Sequence, residues 1–112
     1  MPFRSVASVV SGLLTANGDG VDFLGSMGFD GCWLEAEHGP VSWEQIGDLS
    51  RACDLWGMSS IIRIQSGDPA LITRAFDRGA SGIVIPHVNS QSDAQQVAEA
   101  AKFSPQIGRA HV

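Results

Sequence analysis

The chain has 112 residues, 44% of them apolar and 17% charged, the balance of a folded globular domain and not of a charge-rich disordered one. Its net charge of −5 and its lack of clustered lysines and arginines argue against a nucleic-acid surface, which needs concentrated cations to displace the counterions of phosphates. The length suits one small domain, and no linker or low-complexity tract divides it.

Arg4 followed by the apolar run from Val6 to Leu14 has the outline of a secretory signal. Ser8, Ser11 and Gly12 dilute that run, no small-residue cleavage site follows, and it falls short of the roughly 20 apolar residues needed to span a membrane. Val6 to Leu13 is therefore expected as the buried first strand of a cytoplasmic protein. The next segment, Asn17-Gly18-Asp19-Gly20, has turn chemistry but lacks the spacing of a nucleotide loop. A first helix is expected near Gly20 to Met27, with Gly28 as its left-handed stop.

A second strand near Cys32 to Ala36 precedes a helix opening at Ser42. Gln45 completes a capping box there, Trp43, Ile46, Leu49 and Cys53 form the buried stripe, and Gly57 ends the helix. Cys32 and Cys53 are expected as buried thiols. A third strand near Ser60 to Gln65 leads to a helix with Asp68 as N-cap, Pro69 in the first helical position and Gly79 after the last turn. The fourth strand is expected near Gly82 to Pro86. A last helix starts around Ser90 to Asp93 and runs through Val97, Ala98 and Ala101 toward Phe103, before Pro105 interrupts it.

All four strands are apolar enough to be covered on both faces, which points to a parallel sheet joined by covering helices. Four units at a period of about 25 residues fit half of a (β/α)₈ barrel, which spends roughly 30 residues on each of eight units. The expected fold class is α/β, the N-terminal half, about four βα units, of a (β/α)₈ TIM barrel. A five-stranded flavodoxin-like sheet also fits the length, but its ligand loop usually follows the first strand. Here the reactive-looking residues follow strands two, three and four.

In Leu34-Glu35-Ala36-Glu37-His38-Gly39-Pro40 an apolar strand ends in two carboxylates and an imidazole, where such barrels keep catalytic groups. Alternation puts Glu35 and Glu37 on one side of the strand. A carboxylate beside His38 can fix its tautomer and raise its basicity, which suits proton transfer near neutral pH; a solvated acidic turn is the plain alternative. Arg63 is a lone cation within Ile61-Ile62-Arg63-Ile64 and needs an anion. That anion is either a substrate carboxylate held in two-pronged fashion or an internal partner, Glu35 or Glu37. His87 ends the fourth strand. Its distance of about fifty residues from His38 matches no compact zinc spacing, so it reads as a loop or supporting histidine.

Taken together, Gly28-Phe29-Asp30, Glu37-His38-Gly39-Pro40, Ile62-Arg63, Asp68-Pro69-Ala70-Leu71-Ile72, Asp77-Arg78-Gly79-Ala80 and Gly82-Ile83-Val84-Ile85-Pro86-His87-Val88-Asn89 resemble the HpcH/HpaI aldolase/citrate lyase family. The resemblance runs from about residue 6 to 104. It implies a class II pyruvate aldolase that cleaves or forms 4-hydroxy-2-oxo acids with a divalent metal, Mg²⁺, Mn²⁺ or Co²⁺. Its partners would be a 2-oxo acid and an aldehyde, and the whole enzyme would be a homo-oligomer. By this resemblance His38 is the candidate for proton transfer and Arg63 binds the pyruvate carboxylate and steadies the enolate. Glu35, where the family often has Asp, supports His38, and Asp77 is an acid that assists that histidine across a subunit contact. The family's metal ligands, a Glu and an Asp, lie at the ends of later strands, so none is expected in this chain and the chain alone is expected to be inactive. A citrate-lyase-like or citramalyl-CoA-lyase-like enzyme acting on a thioester is the alternative, and a non-catalytic half-barrel another.

The last six residues, Ile107-Gly108-Arg109-Ala110-His111-Val112, neither continue the helix nor match the resemblance. Back-translated, they resemble an adapter of the kind ligated to DNA for sequencing. Residues 107–112 are therefore expected to be non-native, and His111 is left out of functional reasoning.

Overall fold

The computed structural model describes residues 6–103; the expected non-native tail and Pro105 lie outside them. Four parallel strands, β1 (Val9–Val10), β2 (Gly31–Glu35), β3 (Ser59–Arg63) and β4 (Gly82–Val84), form one sheet in the order β1-β2-β3-β4. Helices α1 (Gly18–Ser26), α2 (Trp43–Leu55), α3 (Pro69–Asp77) and α4 (Gln91–Phe103) follow them in turn, as expected for four βα units. No helix among the described residues is long and apolar enough to cross a membrane.

The helix boundaries follow the local chemistry. The Asn17 side chain accepts the Gly20 amide at 2.8 Å, so the segment read as a turn caps α1 and starts that helix two residues earlier than expected. Gln45 Oε1 accepts the Ser42 amide at 2.8 Å, and Asp68 Oδ1 accepts the Ala70 amide at 3.0 Å ahead of Pro69. The three glycines expected to stop helices, Gly28, Gly57 and Gly79, have φ of 88°, 69° and 110°, the left-handed region that glycine enters without penalty.

The core lies between the sheet and its helices. Val21 and Leu24 of α1, Ile46, Leu49 and Cys53 of α2, and Ile72 and Ala75 of α3 pack against Cys32, Leu34 and Ile62 from the strands and Ile64 just after β3. Trp43, expected in the buried stripe, is only partly buried, with Arg74 and Arg78 over its ring at 4.5 and 6.0 Å. Both cysteines are buried and free. Contact with the Cys32 thiol, and then burial, push the Cys53 thiol up, so it stays protonated.

Covering on both faces holds for neither outer strand. Val9 is exposed, Val10 is half-buried, and Gly82 to Val84 are all half-buried. Four strands do not close a barrel, so side chains pointing to its interior have no strand opposite them. The first strand is also shorter than Val6 to Leu13. Gly12, at φ 126°, turns the chain into a 3₁₀ turn, Leu13–Ala16, and the buried Thr15 hydroxyl bonds Trp33 O at 3.0 Å. Leu13 is left 81% exposed. In α4, Val97, Ala100 and Ala101 form the inward side, while Ala98, expected there, faces solvent.

Candidate functional site

Parallel pairing brings the C-terminal ends of β2, β3 and β4 side by side. Glu35 is the register partner of Arg63, and Arg63 that of Val84. Paired residues point to the same face, so Glu35 and Arg63 meet at the mouth of the sheet. Arg63 Nε lies 2.9 and 3.1 Å from the two Glu35 oxygens, and Nη2 lies 2.8 Å from Glu35 Oε1. Arg63 Nε is also 3.2 Å from Glu37 Oε1. Of the two anions left open by the sequence, the internal one is present, and both glutamates supply it.

Glu35 receives more than the guanidinium. Its Oε2 accepts the amides of Glu37 and His38 at 3.0 and 3.2 Å, which folds the chain sharply after β2. Its Oε1 accepts the Trp33 indole N–H at 3.3 Å. Burial raises the carboxyl pKa, but Arg63, the two amides and the indole outweigh it and hold the group at about 2. Because the folded-state value is depressed, the stabilisation from ionised Glu35 is complete above pH 4.5 and is lost as pH falls toward about 2. Wild-type stability should therefore fall more steeply across that interval than that of Glu35→Gln. Urea unfolding at a series of pH values measures this, and parallel curves would refute it.

Gly39 makes this turn possible. A β-carbon there would lie 2.3 Å from Glu35 Cγ and 3.0 Å from the Glu35 carbonyl oxygen, closer than packed atoms approach. Gly39→Ala should push the Glu35 side chain off Arg63 and cost about 1 to 3 kcal/mol, the usual cost of overpacking. Chemical denaturation measures it, and an unchanged midpoint would show that the loop has room.

Beyond Glu35, the Glu37 carboxylate forms a hub. Its side chain is 7% exposed, with Oε1 toward Arg63 and Oε2 at 3.3 Å from His38 Nε2 and 3.8 Å from His87 Nε2. A buried acid between a guanidinium and two imidazoles can orient a base, neutralise a cation formed there and hold a bound anion in register. His38 itself is 73% exposed and free to meet a small molecule. Among the described residues, no group of three or more His, Cys, Asp or Glu side chains could hold a metal ion.

Of the candidates named from the sequence, Glu35, His38 and Arg63 come together and Asp77 does not. Asp77 is exposed at the C-terminal end of α3, which runs back from the strand ends and so finishes at the far side of the sheet. Glu37, one of the two internal partners expected for Arg63, does pair with it, while Trp33 and Gly39 join the site without having been singled out for it. Trp33 was findable, since it stands two residues before Glu35 and shares its face. Gly39 was not, because only the folded turn reveals how close Glu35 lies.

The family model for HpcH/HpaI aldolase/citrate lyase matches residues 13–111. A 2-dehydro-3,6-dideoxy-6-sulfogluconate aldolase from Pseudomonas putida is 28% identical over 91% of this chain and 40% of its own length. A hydroxypyruvate/pyruvate aldolase from Rhizorhabdus wittichii is 33% identical over 73% of this chain and 33% of its own length. The crystal structure of an HpcH/HpaI aldolase from Desulfitobacterium hafniense DCB-2 superposes with a TM-score of 0.75 at 27% identity, covering 88% of this chain and 38% of that one. The chain thus spans 40% or less of the length of each of these three relatives, and its four units correspond to half of a barrel. The matched residues include the Glu35, Glu37, His38 and Arg63 cluster at the strand ends, and the chain belongs to the HpcH/HpaI aldolase/citrate lyase family.

Proposed function

We propose that this chain supplies the proton-transfer and carboxylate-binding half of a divalent-metal-dependent pyruvate aldolase, one that cleaves or forms 4-hydroxy-2-oxo acids through a pyruvate enolate. The observation that carries the reading is the Glu37 hub, which places His38 and Arg63 on one buried carboxylate. In the cleavage direction, His38 takes the proton of the 4-hydroxyl as the C3–C4 bond breaks. The aldehyde leaves and the electron pair passes into the 2-oxo group. Protonation at C3 then gives pyruvate. Arg63 presents five N–H donors; Nε and Nη2 serve the glutamates, and the Nη1 side is left to meet the substrate carboxylate beside them.

Mg²⁺, Mn²⁺ or Co²⁺ would stabilise the enolate when bound, as a Lewis acid does. In the family the ligands, a Glu and an Asp, stand on later strands, so the 112-residue chain alone is expected to be inactive. Asp77 is retained as an acid acting across a subunit contact in the oligomeric enzyme, which fits its exposure. The reading is tested with the complete barrel enzyme. Metal-dependent release of pyruvate from a 4-hydroxy-2-oxo acid is expected, and cleavage of an acyl thioester in its place would move the enzyme to the citrate-lyase side of the family.

A further inference from the structure

His87 stands in the loop between β4 and α4, three residues after Val84, and is unusual in its backbone. Among the described residues it is the one non-glycine with positive φ, at 59°. A β-carbon in that region costs on the order of 1 to 2 kcal/mol, and strain of this kind persists where its surroundings enforce it, often beside a functional group. The turn brings the ring toward Glu37. His87 Nε2 lies 3.8 Å from Glu37 Oε2, the oxygen that His38 Nε2 reaches at 3.3 Å.

The environment favours an electrostatic role over a packing one. His87 is 81% exposed, so little apolar burial accounts for its placement, whereas Glu37 is 7% exposed. The charged groups facing this point are Glu35 and Arg63 from β2 and β3, Glu37 and His38 from the loop after β2, and Asp93 of α4, which lines the same hollow as His87. Of these, Glu37 is the acid His87 approaches within ion-pair distance. A separation of 3.8 Å exceeds a hydrogen bond, and contacts of this kind shorten when substrate is bound.

We propose that His87 is a positioning residue for His38: it flanks Glu37 from the β4 side and keeps that carboxylate turned between Arg63 and His38. The inference rests on the proton-transfer role proposed for His38. Without His87 the Glu37 carboxylate is free to rotate toward Arg63 and solvent, and His38 loses its fixed partner.

Imidazole ¹⁵N spectra of the 112-residue chain test this with two variants. His87→Gly removes the ring and the backbone strain together, whereas His87→Asn tolerates the left-handed conformation and keeps an N–H donor. The expected result is that His87→Gly melts at or above wild type yet displaces the His38 resonances, and that His87→Asn returns them toward wild-type positions. Unchanged His38 resonances in His87→Gly would overturn the proposal. If His87→Gly failed to fold, His87→Ala would decide: displaced His38 resonances support the role, and resonances at wild-type positions remove it. In the complete enzyme His87→Gly should lower kcat several-fold with little change in KM. Full turnover in His38→Ala would remove the proton-transfer reading while leaving the resonance shift intact, so the two failures are distinguishable.

Discussion

In the complete enzyme, His38→Ala should lower kcat by about 10² to 10⁴, the range over which a positioned acid or base accelerates proton transfer. His38 is exposed, while the carboxylate that orients it is almost fully buried, so the substitution removes a reacting group without opening the core. Thermal stability should stay within about 0.5 kcal/mol of wild type, as for surface changes that leave no group stranded. Steady-state kinetics and melting curves on the same preparations check both halves. Full cleavage rates in His38→Ala across pH would make it a turn histidine with no part in the chemistry.

Arg63→Ala should combine a structural and a functional loss. The sequence left a substrate fork and an internal ion pair as alternatives, and an arginine serving substrate alone would melt near wild type when replaced. The geometry changes that expectation. Arg63 contacts both Glu35 and Glu37, whose side chains are 20% and 7% exposed. Removing it leaves two largely buried acids without their cation, at a cost of about 1 to 3 kcal/mol or more. Pyruvate binding should weaken in the same variant. Arg63→Lys separates the effects, because a point charge keeps part of the ion pairing but not the planar fork. It should recover much of the melting temperature and little of the pyruvate affinity. Calorimetry with and without pyruvate measures both, and recovery of affinity with the charge alone would show that the paired geometry is dispensable.

Much of the scaffold could be read from the sequence because its punctuation is local. Asp68-Pro69, the Ser42 to Gln45 spacing and the glycines at 28, 57 and 79 each act within a few residues, so the ends of the first three helices were legible. The extent of the first strand was not, since the end of β1 depends on Gly12 and on the Thr15 hydroxyl reaching Trp33 O, a contact across 18 residues. The site divides in the same way. The strand-end positions of Glu35, His38 and Arg63 followed from alternation and strand order. The partnership of Arg63 with both acids, the closeness of Gly39 to Glu35 and the approach of His87 to Glu37 depend on strand register and loop geometry, which no local pattern encodes.

If the Glu37, His38 and Arg63 cluster serves pyruvate enolate chemistry as proposed, exchange of the pyruvate methyl protons in deuterated water, followed by NMR, reports it without knowledge of the aldehyde. With the complete enzyme, exchange is expected to depend on added Mg²⁺, Mn²⁺ or Co²⁺, to stop with a chelator, and to fall sharply in His38→Ala and Arg63→Ala. Exchange that proceeds at the wild-type rate in both variants, or no exchange by the metal-loaded wild type, would contradict the account.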